Sequence, residues 1–293
     1  MRSKTCRISL CAVIALTLLT NSITYADNIY VSCFSGGNIG HGTIEKLNSS
    51  GSGTVFASGL GGPMGLAFDS SGNLYAAEVG NFTIDKFNSS GNKTYFAVGL
   101  GWPTALAFDK SGNLYAVIAD NGTIDKFNSS GSGTIFASGL NDPSALAFDK
   151  NGNLYVAEYS GVNSGTIEKF NSSGSGTIFA SGLDNPMGLA FDSSDNLYVT
   201  EFDNGTIEKF NSSGNVSIFA SSLAEPTGLA FDSSGNLYAA EDNSGTIEKF
   251  NSSGNMSVFA SGLNEPACIA TQVPEPATLL LLGLGGLMLR KMK

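Results

Sequence analysis

Residues 63–100 read PMGLAFDSSGNLYAAEVGNFTIDKFNSSGNKTYFAVGL. The pieces of this stretch return along the chain. Phe-Asp pairs stand at Phe68/Asp69, Phe108/Asp109, Phe148/Asp149, Phe191/Asp192 and Phe231/Asp232, a period of 40 residues with one interval of 43. Turn residues cut each unit into four short strand candidates, A (65–69), B (74–78), C (83–87) and D (94–98) in the unit quoted. Ser71-Gly72 suits a tight A–B hairpin and Asn88-Ser-Ser-Gly91 the C–D turn, because Gly and Asn accept positive φ while Asp and Ser bond the local backbone. Leu74-Tyr75-Ala76-Ala77 is almost wholly apolar, as in a strand packed on both faces, whereas Thr83–Phe87 mixes polar and apolar residues, as near a rim. A strand-rich period of this length predicts the blades of a β-propeller.

Counting strands predicts how the ring closes. B strands follow Asn28, Asn73, Asn113, Asn153, Asn196 and Asn236, and A strands follow Pro63, Pro103, Pro143, Pro186, Pro226 and Pro266. The repeats therefore begin at a strand B and finish with a strand A. The expected fold is all-β, a six-bladed propeller of four-stranded blades over 27–272, with one blade built from both termini.

The two ends read differently. Met1–Ala26 carries basic Arg2, Lys4 and Arg7, then an apolar run from Ile8 to Leu19 and small or polar residues up to Ala26. That is the pattern of a signal peptide cut after Ala26, the run being shorter than the ~20 residues of a membrane span. At the other end Val273, Pro274, Glu275 and Pro276 precede an apolar run to Met288 and a basic end with Arg290 and Lys291. This order resembles the PEP-CTERM sorting signal. The resemblance implies a Gram-negative bacterium, processing by an exosortase-type enzyme, transient retention at the inner membrane, and a final place at the cell surface or in the extracellular matrix. The run is too short to span a bilayer comfortably; a plain C-terminal anchor is the alternative.

Removing three basic residues at each end and Glu275 leaves 9 basic and 24 acidic residues, a net charge of −15. Nucleic acid is thereby excluded as a partner, since binding it needs a basic footprint. The single histidine, His41, has no Ser/His/Asp or Cys/His constellation around it, which argues against nucleophilic catalysis.

Cys6 and Cys11 leave with the signal peptide. By alignment of the repeats Cys33 takes the place of Glu78 at the end of a strand B, and Cys268 that of Gly65 at the start of a strand A. These positions lie opposite one another in an A–B hairpin to within about one residue of register. The expectation is a disulfide locking the first strand to the last in an oxidising compartment; two unpaired buried cysteines are the alternative.

The repeat resembles the NHL type of propeller and its relatives, on Pro186-Met-Gly-Leu-Ala-Phe-Asp192, Asn196-Leu-Tyr-Val-Thr-Glu201 and Thr206-Ile-Glu-Lys-Phe210. The resemblance implies the fold and leaves function open among protein-binding modules, matrix proteins, and enzymes of the gluconolactonase and streptogramin lyase kinds.

Blade-to-blade differences are where chemistry is expected. The A–B and C–D turns barely change, whereas the B–C and D–A connections vary strongly, and in a propeller both variable sets emerge on one face. That face is the candidate surface for a polysaccharide or protein ligand, with Trp102, His41, Asp120, Asp203 and Asp242 among its residues. Strand B ends in Glu78, Glu158, Glu201 and Glu241. A ring of these carboxylates at the channel mouth would hold Ca2+ or another divalent cation and would suit a metal-dependent hydrolase of the lactonase type. Alternatively each Glu accepts hydrogen bonds from its own B–C loop. The recurrent Asn-Ser-Ser triplets match N-glycosylation acceptors and are equally good turn chemistry.

Overall fold

The computed structural model describes residues 27–35, 40–159, 161 and 163–272. The signal peptide and the sorting segment expected at the two ends lie outside them, as does part of the loop before His41. Six antiparallel sheets of four strands each stand around a central axis. Blade II shows the unit: β4 (Pro63–Phe68), β5 (Leu74–Glu78), β6 (Thr83–Phe87) and β7 (Lys93–Val98) are strands A to D, ordered from the axis outwards. Strands B and C fall where the sequence puts them. Strand A begins two residues earlier, at Pro63, because that residue already pairs with Glu78 across a bulge. Blades III to VI repeat the plan over 103–138, 143–183, 186–220 and 226–260.

Blade I is the composite one. It consists of β1 (Asn28–Cys33), β2 (Gly42–Leu47), β3 (Gly53–Leu60) and, as its strand A, the last strand of the chain, β24 (Pro266–Gln272). β1 and β24 pair from Asn28↔Gln272 to Cys33↔Pro266. A second contact closes the ring beside them, where the Asp27 carboxylate accepts hydrogen bonds from Ser233 N and, at 3.1 Å, Ser233 Oγ in the A–B turn of blade VI.

The core lies between blades. Strand B is buried along its whole length in every blade save for half-buried Asn28 at the start of β1, since successive side chains point to opposite faces and each face meets a neighbouring blade. Leu74 and Ala76 face Tyr30, Ile44 and Leu60 of blade I, while Tyr75, Ala77 and Ile84 face Leu106, Ala116 and Ile118 of blade III. An aromatic ladder runs through these junctions. The Tyr75 ring meets Phe96 and Phe108 edge-on at 4.9 and 5.0 Å, and Tyr115, Tyr155 and Tyr198 repeat the arrangement; such pairs contribute ~0.5–1.5 kcal/mol each beyond area burial.

The invariant turns are explained by hydrogen bonds. Asp69 Oδ1 accepts from Ser71 N (3.0 Å) and Asn73 N (2.8 Å), and Oδ2 accepts from Asn73 Nδ2. Asn88 Oδ1 likewise accepts from Ser90 N and Asn92 N. The Asn-Ser-Ser triplet is thus a side-chain-capped turn.

The expected disulfide is corrected: Cys33 and Cys268 are both free thiols. The register slips between Ser32 and Cys33, so Cys268 stands opposite Ser32, and Cys33 opposite Pro266. A slip of one residue sends a side chain to the other face of a sheet. Cys33 accordingly packs with Tyr238, Ala240 and Ile247 towards blade VI, whereas Cys268 packs with Tyr30 and Leu66 towards blade II. Burial raises both thiol pKa values, that of Cys268 to about 11.

Candidate functional site

The B–C and D–A connections do share one face, and a repeated lock joins them. The carbonyl of the second D–A residue accepts the N–H that follows strand B: Gly62 from Val79, Trp102 from Ala119, Asp142 from Tyr159, Asn185 from Phe202, Glu225 from Asp242 and Glu265 from Phe34. Aiming that carbonyl needs a left-handed backbone in five of the six connections, at Gly62, Asp142, Asn185, Glu225 and Glu265. Only the first is a glycine. Among the described residues eight of nine non-glycine positive-φ positions lie in B–C or D–A connections, each costing roughly 1–2 kcal/mol. Backbone strain is therefore concentrated on the variable face.

One strained residue escaped the reading of the sequence. Phe82, φ 59°, precedes strand C where blades III, V and VI have Gly122, Gly205 and Gly245 at φ 60–65°. Its carbonyl accepts Leu100 N, as those glycines accept the corresponding leucines. The aromatic side chain packs into no core and is 45 % exposed; Trp102, in the D–A connection that follows Leu100, is 54 % exposed. The signal was present as Asn-Phe-Thr where Asn-Gly-Thr recurs.

The strand-end glutamates each close their own blade. Glu78 accepts from Gly61 N (2.9 Å) and Asn81 Nδ2; Glu158 from Asn141 N (2.7 Å) and Thr166 Oγ1 (3.3 Å). Glu201 accepts from Asp184 N (3.0 Å), Asn204 Nδ2 (3.4 Å) and Thr206 Oγ1 (2.7 Å). Glu241 accepts from Ala224 N (3.3 Å), Ser244 Oγ (2.7 Å) and Thr246 Oγ1 (2.9 Å). All four are buried. The B–C loop and strand C thus supply the bonds one reading of the sequence expected, and the D–A amide adds one it did not foresee. The structure does not bring the four carboxylates together, and among the described residues no three His, Cys, Asp or Glu side chains converge to hold a metal.

The other candidates are dispersed on the same face. Asp120 Oδ1 accepts from Trp102 N (3.0 Å), and Asp203 Oδ1 from Asn185 Nδ2 (3.5 Å). Asp242 has its carboxyl pushed up by burial and then by the charges of Glu265 and Glu225. His41 is an exposed loop residue. The channel itself is narrow, about 140 Å³, and its lining by the six A strands includes Met64, Leu106 and Leu189 but no charged side chain.

Residues 272–293 match the PEP-CTERM protein-sorting motif, which marks an exported protein sorted to the cell envelope and implies processing by an exosortase. Solved structures agree on the architecture. A chain of the nidogen/laminin complex superposes with a TM-score of 0.75 at 19 % identity, over 84 % of this chain and 98 % of that one. Virginiamycin B lyase from Staphylococcus aureus gives 0.63 at 18 %, over 80 % and 82 %. A gluconolactonase from Xanthomonas campestris gives 0.63 at 18 %, over 70 % and 78 %. At these identities the likeness shows the fold alone. No curated protein matches the sequence. The chain is a six-bladed β-propeller carrying a PEP-CTERM signal.

Proposed function

We propose that this protein, cut after Ala26 and held briefly at the inner membrane of a Gram-negative bacterium through residues 273–293, serves at the cell surface or in the matrix as a binding scaffold. Its ligand is a polysaccharide or protein taken on the B–C/D–A loop face. The observation that carries this reading is Phe82: an exposed aromatic ring held in a left-handed backbone that three sister blades give to glycine. Strain of that kind, with no packing to offset it, is characteristic of functional positions, and exposed Phe and Trp offer flat apolar faces for a sugar ring or a partner side chain. Chain direction supports the same face. β24 runs from Pro266 on the loop face to Gln272, whose side-chain amide donates to Gly72 O in an A–B turn. β24 therefore ends on the face opposite to Phe82 and Trp102, and a tether continuing from Gln272 would leave the loop face free.

The test is retention of the mature protein on exopolysaccharide from the producing cells and on extracted matrix protein, comparing the native chain with the Phe82→Gly/Trp102→Ala variant. The expected result is undiminished thermal stability with binding reduced at least tenfold. Equal retention of both proteins would overturn the assignment of the face.

A further inference from the structure

Beneath each strand-end glutamate lies a second carboxylate. In blade VI Glu241 stands opposite Thr246, and Glu248, two residues along strand C, opposite Ala239. Alternation along the strands puts Glu241, Thr246 and Glu248 on one face, wedged against blade V. Glu248 is 6 % exposed, and its Oε2 has no hydrogen-bond partner. Burial first, and then the charge of Glu241, raises the pKa of its carboxyl.

Blade II shows what such a pair accepts. There Glu78, Thr83 and Asp85 occupy the same positions, and Lys93 from strand D reaches over them, its Nζ 2.7 Å from Asp85 Oδ2 and 3.7 Å from Glu78 Oε1. Lys93 pairs with Phe87 in the register in which Met256 pairs with Phe250, and Met256 brings no charge. We propose that the Glu241–Thr246–Glu248 face of blade VI is a cation site, built to take a hard divalent ion such as Ca2+ between blades V and VI where blade II inserts its own ammonium group. Two carboxylates and a hydroxyl supply oxygen ligands of the type Ca2+ prefers, with water completing the shell. Glu201/Thr206/Glu208 and Glu158/Thr166/Glu168 repeat the set in blades V and IV. The site lies off the channel and is independent of the loop-face reading.

Two measurements on the mature protein test it at about pH 8, where free carboxylates are ionised: equilibrium dialysis with radioactive calcium, and thermal unfolding in millimolar Ca2+ against chelator. The native chain is expected to bind Ca2+ and unfold at a higher temperature with it. Glu248→Gln should lose one bound ion. Met256→Lys should also lose one while unfolding at a higher temperature in chelator, and Lys93→Met should gain one. Absence of bound Ca2+ would overturn the proposal, as would unchanged stoichiometry in both Glu248→Gln and Met256→Lys. A Glu248→Gln protein that is merely more stable, beside a native chain indifferent to Ca2+, would show that the pair takes a proton and would equally overturn it.

Discussion

The faces assigned to the two cysteines can be tested by moving one sulfur by a single residue. Ser32, not Cys33, is the residue opposite Cys268 and on its face of the sheet. Cα atoms of directly paired antiparallel residues lie ~4.5–5.5 Å apart, within the range a disulfide spans. A Ser32→Cys/Cys33→Ala chain should therefore oxidise spontaneously to a 32–268 bridge, which the native chain does not form. The two residues are 236 apart in sequence, and the loop-entropy relation gives roughly 5 kcal/mol for a closure of that length. Against this stand the hydrogen bonds of Ser32 Oγ, donated to Met64 O at 2.6 Å and accepted from Cys268 N at 3.0 Å, at about 1 kcal/mol each. A net gain of about 3 kcal/mol remains. It would be read as the difference between denaturant unfolding curves of the oxidised and reduced variant, with thiol counting by mass spectrometry after unfolding without reductant. If the native protein showed no free thiol while the variant failed to cross-link, the register and the argument from faces would both be wrong.

Two further predictions follow from other parts of the molecule. Gly188→Ala would put a Cβ 2.1 Å from Thr227 O on the neighbouring A strand, and should cost about 1–3 kcal/mol in denaturant unfolding, whereas Gly59→Ala, at φ 73° with open space around it, should cost only the left-handed strain of ~1 kcal/mol. In calcium-free buffer stability should peak at mildly acidic pH. Burial raises the carboxyl pKa values of Asp69, Asp109 and Asp192, but hydrogen bonds from the paired Asn outweigh it and hold them below 3.8, so their contribution disappears as pH falls through those lowered values. Burial and the neighbouring Glu201 raise Glu208 from 4.5 to about 7, so its contribution disappears as pH rises across that window. Glu208→Gln should flatten the alkaline limb of a plot of melting temperature against pH, and a peak above pH 8 would contradict the assignment.

Repetition explains what was legible in the sequence. Strands B and C recur six times, the Asn-capped turns six times and the Asp-capped turns five, and local chemistry specifies each of them: alternation for the strands, Asp69 and Asn88 for the turns; the composite blade follows from counting them. What stayed hidden belongs to contacts between copies or to departures from the repeat. Cys33 stands opposite Pro266 across a bulge, as Glu78 stands opposite Pro63, and no residue type in the strands announces that shift of register. The amide donated by Gly61 or Asp184 reaches its strand-end glutamate from 17 residues upstream and leaves no local pattern. Phe82 and Lys93 were visible as exceptions, yet their meaning needed φ in one case and the proximity of two buried carboxylates in the other. The face that carries the B–C and D–A loops was legible as a place from their variation, and no ligand is written in residues that vary so freely.

Pairing the first strand with the last has a consequence for timing. β24 ends at Gln272, where the sorting motif begins, so the strand that completes the ring is the last part of the disc to be synthesised and exported. Until it arrives, β1 offers an unpaired edge, and the apolar side chains of blade I that meet blades II and VI lack part of their cover. Contacts between such distant parts of a chain form late and slowly. A truncated chain lacking only residues 266–272 would keep five whole blades yet leave the edge of β1 open, so completeness of the disc and closure of the ring are one event.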